Sequence, residues 1–362
     1  MTINLLTITD PHHSGKGPEA YLPNPAAYKQ DGLNILTECA ELAREHNCAA
    51  VLIPGDVTDT HLMSDRVKTE FIEAIKRFPC PVIAIDGNHC KETTNREDLK
   101  AAPYGVLRAA GVIWDAYDNP FVSLDYGFAV TGHPYDENTD WDITQYCIKE
   151  RLAQVTIHLT HGALMPDHPW YITDKENKTD REGRRHRYTT FNEPCCCPSS
   201  LVPDIIVNGH LHNGHEATYL LNGTLIVNYG AVCHLSRDIG EINRELKVGL
   251  VSIEGPGRYK ARGIVLQSQR PGHECLSREK LEREIERSKN KEKMSEYLQL
   301  LGSKREIRTR DARVVIEESV KELGDNGKLP GGVAGEMVLG RCLGRLDRVS
   351  NAMEAKGVDQ GV

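Results

Sequence analysis

Five short clusters hold the Asp, Asn and His residues of this 362-residue chain whose types and spacing suit chemistry. They are Asp10-Pro11-His12, Gly55-Asp56-Val57-Thr58-Asp59, Gly87-Asn88-His89, Thr160-His161-Gly162 and Gly209-His210-Leu211-His212. Between them they supply two carboxylates (Asp10, Asp56), one amide oxygen (Asn88) and four imidazoles (His12, His161, His210, His212). A mixed nitrogen and oxygen set suits Mn, Fe, Zn or Co better than Mg or Ca. Seven donors exceed the coordination of one ordinary ion and suit two ions sharing a bridging carboxylate. His89 is left over.

Those donors matter only if the chain brings them together. Residues 5–9, 49–54, 81–86 and 205–208 are short apolar runs, each directly ahead of one cluster. Runs of this kind, bounded by Gly, Pro or Asp, read as strands buried on both faces. His161 follows residues 155–159, apolar apart from Thr156 and His158. Functional groups on open parallel sheets collect beyond the carboxyl ends of the strands, so all five clusters are expected at one rim. Residues 28–45 and 65–78 carry apolar side chains three and four apart, as amphipathic helices do. Residues 223–227 and 248–253 are expected as later strands. His133, in Gly132-His133-Pro134-Tyr135 behind the apolar run 128–131, is a further rim candidate, placed to touch substrate.

The ordered pattern D-x-H, GD-x-x-D, GNH, H and GH-x-H over residues 10–212 resembles the calcineurin-like metallophosphoesterase superfamily. The resemblance implies an α/β fold, a four-layer α/β/β/α sandwich, and metal-dependent phosphoester hydrolysis. It implies that Asp10, His12 and His212 hold one ion, that Asn88, His161 and His210 hold a second, and that Asp56 bridges them. It also implies a metal-bound hydroxide as nucleophile, His89 as general acid, and Asp59 behind His89 to orient its ring. Two ions roughly 3.5–4 Å apart can clamp the attacking and leaving oxygens of an in-line displacement. A His of pKa near about 6.5 can protonate the leaving oxygen. Two divalent ions are therefore expected, Mn first, with Fe, Zn or Co as alternatives. One departure stands out: the family's GNH is commonly followed by Asp or Glu, and here Cys90 follows. Within the superfamily, residues 227–231 and 247–253 are similar to the SbcD-type DNA exonucleases, which implies a nuclease. A phosphatase or phosphodiesterase for a small-molecule or protein substrate stays open beside it. A catalytically silent scaffold is disfavoured because His89 and every expected ligand are present.

Composition narrows the remainder. No run of about 18 apolar residues occurs, so no membrane span is expected. The N-terminus leads into a strand without the basic and apolar regions of a secretory signal, so a cytoplasmic protein is expected. Eleven cysteines at irregular spacing, Cys195-Cys196-Cys197 among them, suit free thiols rather than a disulfide framework. Residues 1–255 are expected as the catalytic domain, 256–276 as a linker opened by a Gly/Pro break, and 277–362 as a helical appendage. Its helices are expected over 277–301, 311–323 and 333–355. Charge divides at the same place. Residues 256–362 hold 22 basic and 17 acidic side chains, net +5; residues 1–255 hold the other 22 basic and 35 acidic, net −13.

An acidic catalytic part argues against a broad nucleic-acid footprint there. Any grip on DNA is expected from the tail or from local patches. One such patch is Arg181, Arg184, Arg185 and Arg187, in the polar stretch 166–198 where Trp170, Tyr171, Tyr188 and Phe191 interleave with the charges. Arg184 and Arg185 are its candidate substrate-binding residues. Basic side chains with aromatics suit a single-stranded end; a solvated surface loop is the alternative. SbcD-type nucleases dock an SMC-like ATPase through C-terminal elements, so the resemblance implies such a partner for the tail. Packing of the tail on its own core or on a second copy, as a homodimer, are the alternatives.

Overall fold

The computed structural model describes residues 2–194, 197–235, 239–283 and 286. Successive side chains along a strand point to opposite faces, and here each face finds its own apolar layer. In Ile3–Thr7 (β1) Leu5 and Leu6 enter different clusters; in Cys48–Pro54 (β2) Ala50 and Leu52 separate from Val51 and Ile53. Val82–Ile85 (β3) divides likewise, Ile83 and Ile85 against Val82 and Ala84. One face of this sheet meets the helices Ala27–Glu45 (α1), Asp65–Ile75 (α2) and Pro103–Ala109 (α3) through Ile35, Leu36, Phe71 and Leu107. The other face meets a second sheet.

The first sheet is completed by Trp114–Asp115 (β4). The second is built from Phe121–Ser123 (β5), Phe128–His133 (β6) and Val155–His161 (β7), then, after a long excursion, from further strands. The excursion contains only short pieces: Leu164–Met165 (β8), Ile172–Asp174 (β9), Thr179–Asp180 (β10) and Thr189–Thr190 (β11). Next come Ile205–Gly209 (β12), His215–Tyr219 (β13) and Leu225–Asn228 (β14), and the chain returns to the first sheet with Lys247–Gly255 (β15) and Arg258–Val265 (β16). The orders are β16-β15-β1-β2-β3-β4 and β13-β14-β12-β7-β6-β5. The strands β1 to β4 are mutually parallel, as are β14, β12, β7 and β6, with antiparallel strands at the edges. The layer between the sheets includes Leu5, Leu52, Ile83, Ile157, Leu159, Val207 and Val227. At roughly 1.5–3 kcal/mol for each large apolar side chain fully buried, this layer fixes where the strand ends lie. The clusters that follow β1, β2, β3, β7 and β12 emerge there.

The mixed α/β sandwich is present, with one difference from the expected four layers. Among the described residues the outer face of the second sheet carries no α-helix. Ile206 and Ile226 are instead covered by Tyr146, Leu164, Phe191 and Leu220, from loops and short strands. Two further expectations need correction. Residues 256–276, expected as a linker, include β16, which pairs along β15 from Lys247 to Gly255, and the short helix Gly272–Cys275 (α4). Leu266, Cys275, Leu276 and Leu281 are buried, and the compact unit extends to Glu286. A period-2 strand at a sheet edge has one exposed face, so β16 was not apolar enough to read as a strand. Second, Cys147 and Cys197, expected as free thiols, form a disulfide. Ile148 N–H donates to the Leu201 carbonyl at 2.9 Å, which brings together sulfurs 50 residues apart. Cys39, Cys48, Cys80, Cys90, Cys233 and Cys275 are free.

Residues 278–283 are helical. The rest of the expected tail helices, the docking of an ATPase or second copy, and Cys195-Cys196 lie outside the described residues. No described helix is long and apolar enough to cross a membrane. Since β16 closes the first sheet, a chain ended near Gly255 should be insoluble or fail to unfold cooperatively. One ended after Glu286 should give a single thermal transition by circular dichroism. Cooperative unfolding of the shorter chain would show that β16 is dispensable.

Candidate metal centre

The turns that follow the strands are unusual in their backbone. Asp10, His12, Asp56 and His210 all lie in the left-handed region, at φ 44°, 43°, 40° and 79°. Such residues cost about 1–3 kcal/mol each and cluster at functional sites. Hydrogen bonds between loops hold them: His12 N–H donates to the Asp56 carbonyl (2.9 Å) and His13 N–H to the Val57 carbonyl (3.1 Å).

Each carboxylate has one oxygen committed to a neighbouring loop. Asp56 Oδ1 accepts from His89 N–H (2.8 Å), and Asp10 Oδ2 accepts from His210 N–H (2.8 Å). The other oxygens turn to the imidazoles. Asp56 Oδ2 lies 3.2 Å from His161 Nε2 and 3.6 Å from His12 Nε2, and Asp10 Oδ1 lies 3.6 Å from His161 Nδ1. Asp10 Oδ1 is buried without a hydrogen-bond partner. The loops pack so closely that a Cβ on Gly209 would stand 2.3 Å from the Pro54 carbonyl oxygen and 2.6 Å from Asp10 Oδ1.

The imidazoles are set by what their outer nitrogens touch. His161 Nδ1 donates to the Pro54 carbonyl at 2.9 Å; a carbonyl only accepts, so the proton sits there. Its Nε2 then faces Asn88 Oδ1 at 3.0 Å, and His210 Nδ1 faces the same oxygen at 3.2 Å. His12 Nδ1 meets Asp59 Oδ1 at 3.2 Å, which turns Nε2 toward His212 Nε2 at 3.0 Å. Fixing a ligand ring through its other nitrogen is how metal sites are oriented.

Electron-rich atoms thus converge with little between them but each other, an arrangement that only protons or cations stabilise. The ligand atoms of Asp10, Asp56 and His161 lie within 4.8 Å of one another, as do those of His12, Asp59 and His89. These groupings cut across the expected trios, since His161 faces Asp10 and Asp56 as well as Asn88. Burial raises the Asp10 pKa to about 6. Burial alone would lower that of His161, but the Asp56 carboxylate overrides it and raises it to about 9. Carboxylates that hold an extra proton on His161 equally attract a cation in its place. Burial lowers His210 to about 3 and His212 to about 4, so both are neutral and able to ligate at neutral pH. The donor set, the orphaned Asp10 oxygen and the neutral rings fit divalent ions.

His89 stands beside this cluster, its side chain 42% exposed and edge-on to His12 with ring centroids 4.7 Å apart. Its Nδ1 lies 3.1 Å from the Asp59 carbonyl and 3.3 Å from Asp59 Oδ1. Asp59 therefore touches both His12 and His89, where only His89 was expected. Cys90 is buried, its thiol pushed up to about 12 by burial, and it approaches the Thr58 carbonyl.

Several supporting residues were not singled out from sequence. Lys91 Nζ, fully buried, donates to Asp86 Oδ2 (2.5 Å) and to the Tyr135 carbonyl (2.6 Å), closing the base of the loop that carries Asn88 and His89. Tyr135 stacks on His210 at 5.8 Å and meets His161 edge-on at 6.3 Å. Asn208 accepts from Thr160 and donates to the Gly162 and Gly209 carbonyls, tying the ends of β7 and β12. His133 turns elsewhere. Its Nδ1 donates to the Pro134 carbonyl and its Nε2 lies 3.7 Å from Asp136, while Tyr135, two residues on, makes the ring contacts with His161 and His210. Of the candidate arginines, Arg184 pairs with Asp180 (2.8 Å) and Glu182 (3.2 Å), and Arg185 lies over the Trp141 ring at 4.5 Å. Tyr188 and Phe191, expected among the surface aromatics, are buried.

Two mixed sheets thus bring five turns that carry candidate metal ligands to one rim. Residues 3–214 match the model of the calcineurin-like phosphoesterase family, and the chain belongs to that family. No curated protein matches it. Solved structures similar to it include a dimetal phosphatase from Danio rerio (14% identity, 73% of this chain and 98% of that one, TM-score 0.42). Others are a 5'-nucleotidase precursor from Thermus thermophilus (12%, 75% and 56%, 0.40) and a 5'-nucleotidase from Candida albicans (15%, 79% and 58%, 0.39).

Metal analysis after loading should approach two divalent ions per chain, and Asp56→Ala or His210→Ala should bind fewer. Because metal must displace protons from His161 and Asp10, affinity should fall as pH is lowered. The loss should be about tenfold per pH unit below 9 and steeper below 6. A competition titration showing pH-independent affinity from 6 to 9 would exclude these residues as ligands.

Proposed function

We propose that the chain is a two-metal phosphodiesterase acting on nucleic acid, an SbcD-like nuclease, with Asp10, His12 and His212 holding one ion, Asn88, His161 and His210 the other, and Asp56 between them. When bound, the ions would supply Lewis acidity to the phosphoryl group and to attacking water. Mn is the ion proposed for this mixed donor set. The chain's own residues do the rest. Asp59 holds the proton on His89 Nδ1, and the hydrogen bond that its carboxylate accepts from this ring raises the His89 pKa to about 9. His89 is thus protonated at neutral pH, and Nε2 delivers its proton to the leaving oxygen. Lys91 and Tyr135 keep that loop and the rings of His161 and His210 in register.

The observation that carries the polymer reading is the exposure of His89. The acid stands at the surface rather than inside a closed pocket, so a strand lying across the rim can present its phosphate to it. The similarity of residues 227–231 and 247–253 to SbcD-type nucleases supports the same reading.

His89→Ala should keep its metal and lose about 10²–10⁴-fold in rate on a diester with a poor leaving group. The loss should be much smaller on a nitrophenyl ester, whose leaving group needs no proton. Activity requires His89 protonated and so falls as pH rises through its pKa. Asp59→Asn removes the carboxylate that raises this pKa, so the alkaline limb of the rate profile should move to lower pH. An unmoved limb would remove Asp59 from the mechanism. The substrate class is tested with Mn and a labelled linear duplex beside a generic chromogenic diester: mononucleotide release is expected. Turnover of the chromogen with the duplex untouched would favour a small-molecule phosphoesterase.

A further inference from the structure

The excursion between β7 and β12 has an internal alternation. Asp180, buried at the turn after β10, accepts from Arg184 N–H, Arg184 Nε and His186 Nε2. Arg184 and His186 thus hold the turn together through Asp180, although the Arg184 side chain stays 63% exposed. Arg185 and Arg187, the residues that alternate with them, have a different neighbour. Their guanidinium groups both lie over Trp141, at 4.5 and 5.8 Å from the ring centroid. Among the described residues neither Arg185 nor Arg187 has an acidic partner. Both are exposed, and Trp141 keeps 39% of its surface accessible. Trp170, 94% exposed, and Tyr171 stand in the same excursion, Tyr171 edge-on to His186 at 5.2 Å.

This surface is fastened to the ligand loop. Asp140, directly before Trp141, accepts from Ala163 N–H at 2.8 Å, two residues beyond His161, and from Tyr146 and Thr189 hydroxyls. Lys178 donates to the Asp140 carbonyl at 3.2 Å, anchoring the β9–β10 hairpin to the same point. Trp141 is therefore held next to the loop of a candidate ligand by a buried carboxylate.

We propose that Trp141, Arg185 and Arg187 form a platform for single-stranded nucleic acid, on which a base stacks while the arginines neutralise adjoining phosphates. The inference rests on the nuclease reading of the metal centre. An aromatic face with unpaired planar cations binds single strands irrespective of sequence. It also accounts for how a strongly acidic catalytic part can hold a polyanion: the positive charge is local, gathered at Trp141, whose neighbour Asp140 is bonded to the loop after His161. Arg184, which the turn requires, is not part of the grip.

The test uses the full chain in chelator, so that binding is read without cleavage, with a fluorescein-labelled oligothymidylate and its duplex with oligoadenylate. Anisotropy should show the single strand bound more tightly than the duplex. Trp141→Ala should weaken it by roughly 5- to 150-fold, the range for one stacked base, and Trp141→Phe should restore most of the loss. Arg185→Ala with Arg187→Ala should weaken binding and reduce the salt slope by about 1.4. Turnover of a small chromogenic diester should stay unchanged in all three, which also reports that they fold. Equal affinity of wild type and Trp141→Ala, or duplex preferred with no dependence on Trp141, overturns the platform. If wild type then still cuts oligonucleotides, the nuclease reading survives without it. Trp141-dependent binding without any cleavage on adding metal supports the platform and rejects the nuclease reading.

Discussion

Two backbone amides hold the centre together. His89 N–H fixes one oxygen of Asp56 and His210 N–H fixes one oxygen of Asp10. The first joins the turns after β2 and β3 within one sheet; the second joins the turn after β12 in the second sheet to that after β1 in the first. The Pro54 carbonyl adds another crossing by orienting His161. Hydrogen bonds to a charged group contribute about 1.5–3 kcal/mol each, but their larger consequence is directional. With one carboxylate oxygen spoken for, the second can only face the imidazoles.

That arrangement opposes local stability. Four non-glycine residues in left-handed backbone, two buried carboxylates and an orphaned oxygen all disfavour the fold at this rim. The inter-sheet layer offsets them, because the strand ends cannot separate without exposing Leu52, Ile83, Leu159 and Val207. Close approach is part of the design: Gly209 has no side chain because the Pro54 carbonyl and Asp10 occupy the space it would need. A cation entering this site would relieve like-charge and lone-pair repulsion already built in, which couples metal binding to the stability of the rim.

The excursion after His161 shows the same economy. Its Leu164 and Phe191, joined by Tyr146 from the segment before β7, cover Ile206 and Ile226 where a helical layer would lie, and it also carries exposed aromatic and cationic groups. Asp140 serves both tasks, bracing the turn after His161 and carrying Trp141 in the next position. A rigid sandwich thus supports an irregular segment while the candidate ligands stay clustered at the rim.

Much of this was legible in the chain. Short apolar runs ending in Asp, Asn or His located β1, β2, β3, β7 and β12 and put the seven ligand candidates and His89 at their ends, because burial on both faces and ligand chemistry are written in residue type. Apolar spacing located α1 and α2 for the same reason. What the sequence could not decide was which way a polar side chain turns once two sheets meet. His133 faces Asp136 while Tyr135 meets His161 and His210; Arg184 serves Asp180 while Arg185 crosses to Trp141, more than forty residues away in the chain; Asp59 meets His12 as well as His89. Nor could it assign β16, an edge strand with one exposed face, or pair Cys147 with Cys197. Periodicity along a chain reports burial, which is local. Partner choice among polar groups depends on distances between segments far apart in sequence, and only the packed sandwich sets those.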